Sequence, residues 1–441
     1  MIEVKPLDRC DAIVAIPGSK SYTHRALIVS ALAEGESTLI NVLRSEDTEH
    51  TIKGLEGLGI RMIEKEDGLH VLGAGGKFDR GGREIFAGNS GTSMRFLTAL
   101  ASLRDGLTLL DGDGRMRQRP MIDLLQGLEA LGVRAYSENG NAYSPVAVES
   151  MGLKGGVANI SGDRSSQFLS ALLMVAPYAE RDVYLKVAGH LASRPYVDIT
   201  LDVMSAFGVS VDRREYHSFS VKAGQRYQPR TFSIEGDASN ASYFFSAAAI
   251  TRGRVRVEKF RPSSFQGDTA FLDVLEGMGC EAVRGGDWAE IRGKDLRGME
   301  IDMNAMPDLV PALAVTAAFA RGKTVMKNIG HLRLKESDRI ASVARELAKM
   351  GIRTEEGEDW LSVEGGKAHE AEIETHQDHR VAMAFAVAGL SVPGIKITGE
   401  RCVEKSFPGF WNTFESLYGK GEDLQDCKPV DTSNHLHGSL T

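Results

Sequence analysis

An α/β fold built from one repeated unit is what this sequence predicts, and three observations carry that expectation. A stretch of helical, mostly apolar residues closed by glycine recurs along the chain. A polar cluster opening an Ala/Leu-rich run recurs in step with it. Short β-prone runs come after both.

The glycine-closed phrase reads Leu55-Glu56-Gly57-Leu58-Gly59 in the first copy and Leu128-Glu129-Ala130-Leu131-Gly132 in the second. It returns as Met204-Ser205-Ala206-Phe207-Gly208, Leu275-Glu276-Gly277-Met278-Gly279 and Leu347-Ala348-Lys349-Met350-Gly351. A sixth copy is read at Glu415-Ser416-Leu417-Tyr418-Gly419. The spacing is roughly 70–75 residues, longer than a solenoid repeat. The closing glycine suits the left-handed position that ends a helix, and the residues after it alternate like a strand, as in Ile60-Arg61-Met62-Ile63-Glu64.

The other helix of each unit is opened, in order, by Ser19-Lys20-Ser21, Asn89-Ser90-Gly91-Thr92, Ser165-Ser166-Gln167, Asp237-Ala238-Ser239-Asn240, Pro307-Asp308 and Asp378-His379-Arg380. The runs behind these openings, such as Phe168-Leu169-Ser170-Ala171-Leu172-Leu173-Met174, are apolar nearly all round, which predicts buried helices. Each leads into a β-prone run, for example Ser37-Thr38-Leu39-Ile40-Asn41-Val42 or Lys323-Thr324-Val325-Met326-Lys327. The predicted unit is strand, buried helix, strand, second helix, hairpin. Any one polar opening is ordinary N-capping. Six in one architecture offer six positive helix ends, which suit phosphate and carboxylate groups if they converge. The stretch Lys420 to Thr441 is polar and off-pattern and is expected to be a disordered tail, with His435 and His437 read as solvated rather than metal-binding.

Composition narrows the function classes. With 441 residues, 42% hydrophobic and 25% charged, the chain can bury a large core in two to three domains. A formal charge of -8 argues against a nucleic-acid partner, while leaving room for a locally basic cleft. Cys10, Cys280, Cys402 and Cys427 form no metal-ligand spacing, so neither a zinc site nor a disulfide framework is expected. The start, Met1-Ile2-Glu3-Val4-Lys5-Pro6, lacks a signal-peptide pattern, and apolar stretches such as Val381 to Leu390 are too short to span a membrane. The expectation is a cytoplasmic protein.

Three charged segments stand out. Lys20 and Arg25 sit with hydroxyls at the first helix start, without the spacing of a P-loop. Arg115, Arg117 and Arg119 precede Pro120, which suits the first position of a helix. His331-Leu332-Arg333-Leu334-Lys335-Glu336-Ser337-Asp338-Arg339 is the densest cluster, and on a helix Lys335 and Arg339 face the same way. Each also reads as a capped or ion-paired solvated helix start.

Together these phrases resemble the enolpyruvyl transferase family, in the branch that uses shikimate-3-phosphate. The resemblance runs from about Lys5 to Gly419 and rests on PGSKSYTHRAL (17–27), GNSGTSMRFL (88–97), RMRQRP (115–120), SSQFLSALLM (165–174) and SRPYVDITL (193–201). EGDASNASYF (235–244), PDLVPALAV (307–315), LRLKESDR (332–339), DHRVAMAF (378–385) and KSFPGF (405–410) continue it in order. It implies two domains, each of three β-α-β-α-β-β units packed around buried helices as an inside-out α/β barrel. The implied division is 1–18 plus 236–419 against 19–235, with crossovers near Gly18 and Glu235 and the N-terminal strand in the C-terminal half.

The resemblance also implies residue roles. Lys20, Ser21, Arg25, Ser165, Ser166, Gln167, Ser193, Tyr196, Asp308 and Lys335 match the shikimate-3-phosphate pocket. Lys20, Gly91, Arg119, Gln167, Arg339, Arg380 and Lys405 match the phosphoenolpyruvate site. Asp308, Lys335, Glu336 and Lys20 match the catalytic set, with Glu336 as acid for the methylene carbon. The chain departs from relatives at His331, where Asn occurs, and at Phe96, where Pro occurs. No cofactor and no metal are implied, the partners are the two small substrates, and a monomer is expected. Gly91 matches the glycine of members sensitive to glyphosate. The rivals are the UDP-sugar branch of the family and a two-domain anion-binding protein without turnover. The acid/base set of Asp308, Lys335 and Glu336 disfavours the second.

Overall fold

The computed structural model describes residues 1–419. The expected tail, with Cys427, His435 and His437, lies outside the described residues.

Of six small sheets, the five with four strands conform with their helices to the predicted unit. The third copy shows it whole. Gly156–Ser161 pairs in parallel with Val183–Ala188, with helix Ser166–Val175 between them. Helix Pro195–Ala206 then leads to the antiparallel hairpin Asp212–Arg214 and Ser218–Val221, whose second strand joins Val183–Ala188. The strand Asp11–Ala15 alternates exposed and buried residues, so its sheet has one wet face and one packed face. The first helix of each unit fills the space behind. All nine residues of Val310–Ala318 and all eleven of His379–Gly389 are buried, as uniformly apolar helices require. Helices inside and sheets outside are the inside-out arrangement expected.

The recurring glycines carry out the predicted turn. Gly59, Gly132, Gly208, Gly279 and Gly351 have φ of 92°, 84°, 86°, 113° and 76°, a region costly for residues with a Cβ. Gly419 does not share it: its φ is -77°. The sixth unit differs further. Its sheet has three strands, because Ile2–Glu3 pairs antiparallel with Ile395–Thr398 where the other units place a hairpin. The chain beyond Thr398 instead turns through Glu400–Lys405 into the short helix Phe410–Glu415.

The apolar core is in two parts. One is built from residues between Tyr22 and Ile234, the other from Val4 to Ile16 together with Ala238 to Leu417. Strands are exchanged at the junction. Asp11–Ala15 precedes the first helix, yet it pairs in parallel with Arg254–Glu258 of the second core. Thr231–Ser233 precedes helix Ala238–Ile250, yet it pairs in parallel with Glu34–Ile40 of the first. The two crossings lie side by side. Gly18 bridges Gly236, the Ser19 N–H donates to the Glu235 carbonyl at 2.8 Å, and the Asp237 N–H donates to the Pro17 carbonyl at 3.0 Å. A Cβ on Gly18 would fall onto the Asn41 carbonyl oxygen, so this contact needs glycine.

Two local expectations are corrected. Pro120 is not the first residue of a helix: Ile122–Ala130 begins two residues later, after Met121. The Pro120 carbonyl instead accepts a hydrogen bond from Arg95 Nη2 at 3.3 Å. Lys335 and Arg339 do not share a helix either. The Asp338 carboxylate accepts from the Ala341 N–H and starts the helix at Arg339, leaving Lys335 extended behind the turn Gly330–Leu334.

Candidate active site

Four of the six helix openings cap, and five of the six converge. Ser90, Ser165, Asp237 and Asp378 each accept a hydrogen bond from an N–H of their own helix's first turn. Asp237 does more, since its other oxygen accepts the Lys20 N–H at 2.8 Å and ties the start of one core's first helix to the other core. Asp308 does not cap. It lies in the turn Pro307–Leu309, and its carboxylate is left for other partners.

Five of the six openings line one cleft between the two halves, and the Asp237 opening lines a smaller space beside it with Gln266 and Asp268. The walls of the cleft include Lys20, Ser21, Arg25, Gly91 and Arg119 from the first core, and Asp308, Lys335, Glu336, Arg339 and Arg380 from the second. Ser165, Ser166, Gln167, Ser193 and Tyr196 complete the side formed by the third unit. Lys405 alone of the expected residues is held just behind, with Nζ 2.6 Å from Asp47 Oδ1 and 3.0 Å from the Asn89 carbonyl. Sequence reasoning thus named the wall but missed Asp47, which lines the cavity and bonds Lys20 Nζ through its other oxygen at 2.8 Å. Nothing in Ser45-Glu46-Asp47-Thr48 distinguishes it from an acidic first turn of a solvated helix. Thr92 and Arg164 were missed too. Thr92 accepts from Gln167 Nε2 at 2.9 Å and sets that amide.

The charges form one network. Arg339 donates to Asp308 Oδ1, Glu336 Oε2 and Asp378 Oδ2, each at 2.8 Å, and is almost fully buried. Arg380 Nη2 holds Asp308 Oδ2 at 2.8 Å, and Lys335 Nζ stands 3.7 Å from Asp308 Oδ1. The Tyr196 hydroxyl donates to Asp308 Oδ2 at 3.2 Å across the cleft. Arg119 Nη1 lies 3.8 Å from Glu336 Oε1. Arg115 crosses the cleft as well, donating to the Lys335 carbonyl at 2.6 Å. Eight cations (Lys20, Arg25, Arg119, Arg164, Lys335, Arg339, Arg380, Lys405) face four carboxylates (Asp47, Asp308, Glu336, Asp378). The excess is positive, so the locally basic cleft in an acidic protein is present.

Burial and these partners set the protonation states. Burial pushes the Asp308 carboxyl up, but Arg380, Lys335 and Arg339 outweigh it and hold it well below the usual range. Glu336 behaves alike, with Arg339, Arg119 and Lys405 overcoming burial. Burial pulls the Lys335 ammonium down, and the Asp308 charge only partly resists. Burial pushes His331 down to about 4, helped by Lys335, so it is a neutral imidazole at pH 7; its Nε2 is 3.4 Å from Ser193 Oγ. The second departure, Phe96, is fully buried, and the Arg25 guanidinium sits 5.2 Å from its ring centroid. Arg25 is further fixed by Thr200 Oγ1 at 2.7 Å and by the Ser21 and Tyr196 carbonyls at 2.9 Å.

Two domains of repeated α/β units, meeting over a cleft of paired guanidinium, ammonium and carboxylate groups, define a transferase of the enolpyruvyl type. A family model described as EPSP synthase (3-phosphoshikimate 1-carboxyvinyltransferase) matches residues 4–414, and the chain belongs to that family. A curated 3-phosphoshikimate 1-carboxyvinyltransferase of Nostoc punctiforme is 47% identical over 417 residues, covering 94% of this chain and 98% of the relative. One from Methanoculleus marisnigri is 45% identical over 423 residues, covering 96% and 99%. The solved EPSP synthase of Acinetobacter baumannii superposes with a TM-score of 0.78 at 28% identity, covering 94% of this chain and 97% of that one. The chain is accordingly an enzyme, an alkyl-group transferase of the shikimate pathway. Among the described residues, no helix is long and apolar enough to cross a membrane.

Proposed function

We propose that this enzyme joins phosphoenolpyruvate to the 5-hydroxyl of shikimate-3-phosphate in the cleft between its two halves, acting as a cytoplasmic monomer. The observation that carries the reading is the convergence of cations from both halves on Asp308, Lys335 and Glu336. The division proposed is 1–18 plus 236–419 against 19–235, supported by the two cores and the paired crossings.

Shikimate-3-phosphate lies against Lys20, Ser21, Arg25, Ser165, Ser166, Gln167, Ser193 and Tyr196, where hydroxyl and guanidinium donors suit a phosphate and a ring of hydroxyls. Phosphoenolpyruvate lies against Lys20, Gly91, Arg119, Gln167, Arg339, Arg380 and Lys405. Its carboxylate and phosphate compete with Asp308, Glu336 and Asp47 for those cations. That competition prepares the chemistry. With Arg339 and Arg380 shared by substrate, Asp308 becomes more basic and Glu336 accepts a proton more readily. The 5-hydroxyl oxygen then forms a bond to C2 of phosphoenolpyruvate. Its proton passes to the Asp308 and Lys335 pair, and Glu336 gives a proton to the methylene C3, which becomes a methyl group. The resulting intermediate is tetrahedral at C2. Its collapse returns a methyl proton to Glu336 and breaks the C2–O bond to phosphate, which departs between Lys20 and Arg119. The arrangement excludes water by holding the walls together through the Tyr196–Asp308 and Arg115–Lys335 contacts.

Rapid-quench analysis with both substrates tests the assignment. Asp308→Asn and Glu336→Gln are each expected to lower kcat by about 100-fold or more while KM moves far less. Retention of normal kcat by either variant removes that residue from the mechanism.

A further inference from the structure

Beside the main cleft lies a second, small cavity, whose walls are cationic. Arg95, Arg119, Arg164 and Lys335 line it together with Phe168 and Leu334, and no carboxylate among the described residues does. Arg119, Arg164 and Lys335 also line the main cleft, so the two spaces adjoin. The outer lip reaches solvent: the Arg164 side chain is 48% exposed and Leu334 is 42% exposed.

Arg95 is the anomaly. It is 3% exposed, yet its Nε and Nη1 have no hydrogen-bond partner, and Arg119 Nε has none either. Its one polar contact is the Pro120 carbonyl, and its guanidinium otherwise lies 5.5 Å from the Phe168 ring centroid. Burial first, then the Arg119 charge, pulls Arg95 well below the usual arginine range. The two guanidiniums are neighbours: a Cβ built on Gly91 would meet Arg95 Nη1 and would lie 2.5 Å from Arg119 Nη2. The carboxylate that approaches Arg119, Glu336 at 3.8 Å, is already held by Arg339 at 2.8 Å. Like charges packed side by side, with unmet donors, are stabilised by an anion that accepts from both.

We infer that this cavity is a subsite for a tetrahedral oxyanion, and that its ligand is the inorganic phosphate released in the main cleft. The inference rests on the proposed transferase reading, which generates phosphate next to Arg119. Phosphate shifts from Arg119 to the Arg95 fork and then to Arg164 at the lip. The smaller product so leaves without the two halves parting over the larger one.

Equilibrium dialysis of radiolabelled inorganic phosphate against the protein saturated with shikimate-3-phosphate is expected to show two sites per chain. Arg164→Ala weakens the second site by about tenfold or more and the first by far less. Arg95→Lys keeps the charge but loses the two-pronged donor, and it weakens the same site. Arg164 is exposed, so its variant carries the test even if the buried Arg95 variant does not fold. In steady state, added phosphate raises the apparent KM for phosphoenolpyruvate and lowers kcat in the native enzyme, whereas only KM responds in Arg164→Ala. A single phosphate site, or a second site that survives the Arg164 substitution, overturns the inference. A preparation with no turnover of phosphoenolpyruvate and shikimate-3-phosphate overturns the transferase reading instead, while full turnover with one phosphate site overturns this inference alone.

Discussion

Replacing Asp47 by Asn should loosen the contact between the two halves when no substrate is present. Asp47 lies on helix Glu46–Gly57 of the first core, and its carboxylate bridges Lys20 Nζ at 2.8 Å and Lys405 Nζ at 2.6 Å. Lys405 belongs to the other half, and the Asp47 and Lys405 side chains are 5% and 7% exposed. Burial pushes the Asp47 carboxyl up, but Lys20 and Lys405 outweigh it and keep the group ionised. The amide keeps one acceptor and loses the charge, leaving two ammonium groups facing each other. Breaking a buried pair by removing one partner costs about 3–5 kcal/mol. The lower end applies here because one hydrogen bond survives. About 3 kcal/mol moves a closed-to-open ratio by roughly 150-fold. Small-angle scattering reads the result directly. The variant without ligand is expected to show a larger radius of gyration than the native protein, and shikimate-3-phosphate with glyphosate should restore the native value, since bound anions replace the lost charge. Identical radii for variant and native protein without ligand would refute the reasoning.

Other outcomes rest on single residues. A Cβ at Gly91 meets the Arg95 and Arg119 guanidiniums, so Gly91→Ala is expected to raise the glyphosate inhibition constant more than the KM for phosphoenolpyruvate; equal shifts in both would count against it. His24 is fully buried, with Nδ1 2.7 Å from Thr51 Oγ1, and burial pushes it from 6.5 to about 3. Below pH 6.5 the unfolded chain binds a proton that the native imidazole refuses, so stability is complete above 6.5 and falls as pH falls towards 3. His24 alone removes about 1.4 kcal/mol between pH 7.5 and 5.5, and urea titrations of His24→Asn should lack that part of the slope. Burial pushes the Cys10, Cys280 and Cys402 thiols up to about 12, 11 and 12, and no cysteine lies in the loop from Asp111 to Arg119. Fosfomycin and mild alkylation should therefore leave turnover intact, and inactivation that substrate prevents would contradict this.

Much of this architecture was legible because it is repeated. Apolar helices flanked by one-sided strands leave a periodic trace, and five of the six closing glycines adopt the positive φ that their position predicts. The sixth unit was less legible, since its missing hairpin is replaced by Ile2–Glu3 from the other end of the chain, a pairing that no local pattern encodes. The site divides the same way. Lys20, Arg339 and Arg380 are conspicuous as cations at helix openings, Arg119 as the last of three arginines before Pro120, and the family resemblance named all four. Asp47 is a common acid in a common place, and only the fold brings it between Lys20 and Lys405. The shared direction of Lys335 and Arg339 was read from helical spacing, yet it arises from an extended residue and a helix start that meet on Asp308. The facing cations are not bare, because Asp47, Asp308 and Glu336 are interleaved among them.

The most direct measurement is phosphate release from phosphoenolpyruvate with shikimate-3-phosphate or with UDP-N-acetylglucosamine as the acceptor. One phosphate per enolpyruvyl group transferred is expected with shikimate-3-phosphate, at a rate lowered about 100-fold or more by Glu336→Gln, and none is expected with the UDP-sugar. Release with the UDP-sugar, or with neither acceptor, would contradict the account.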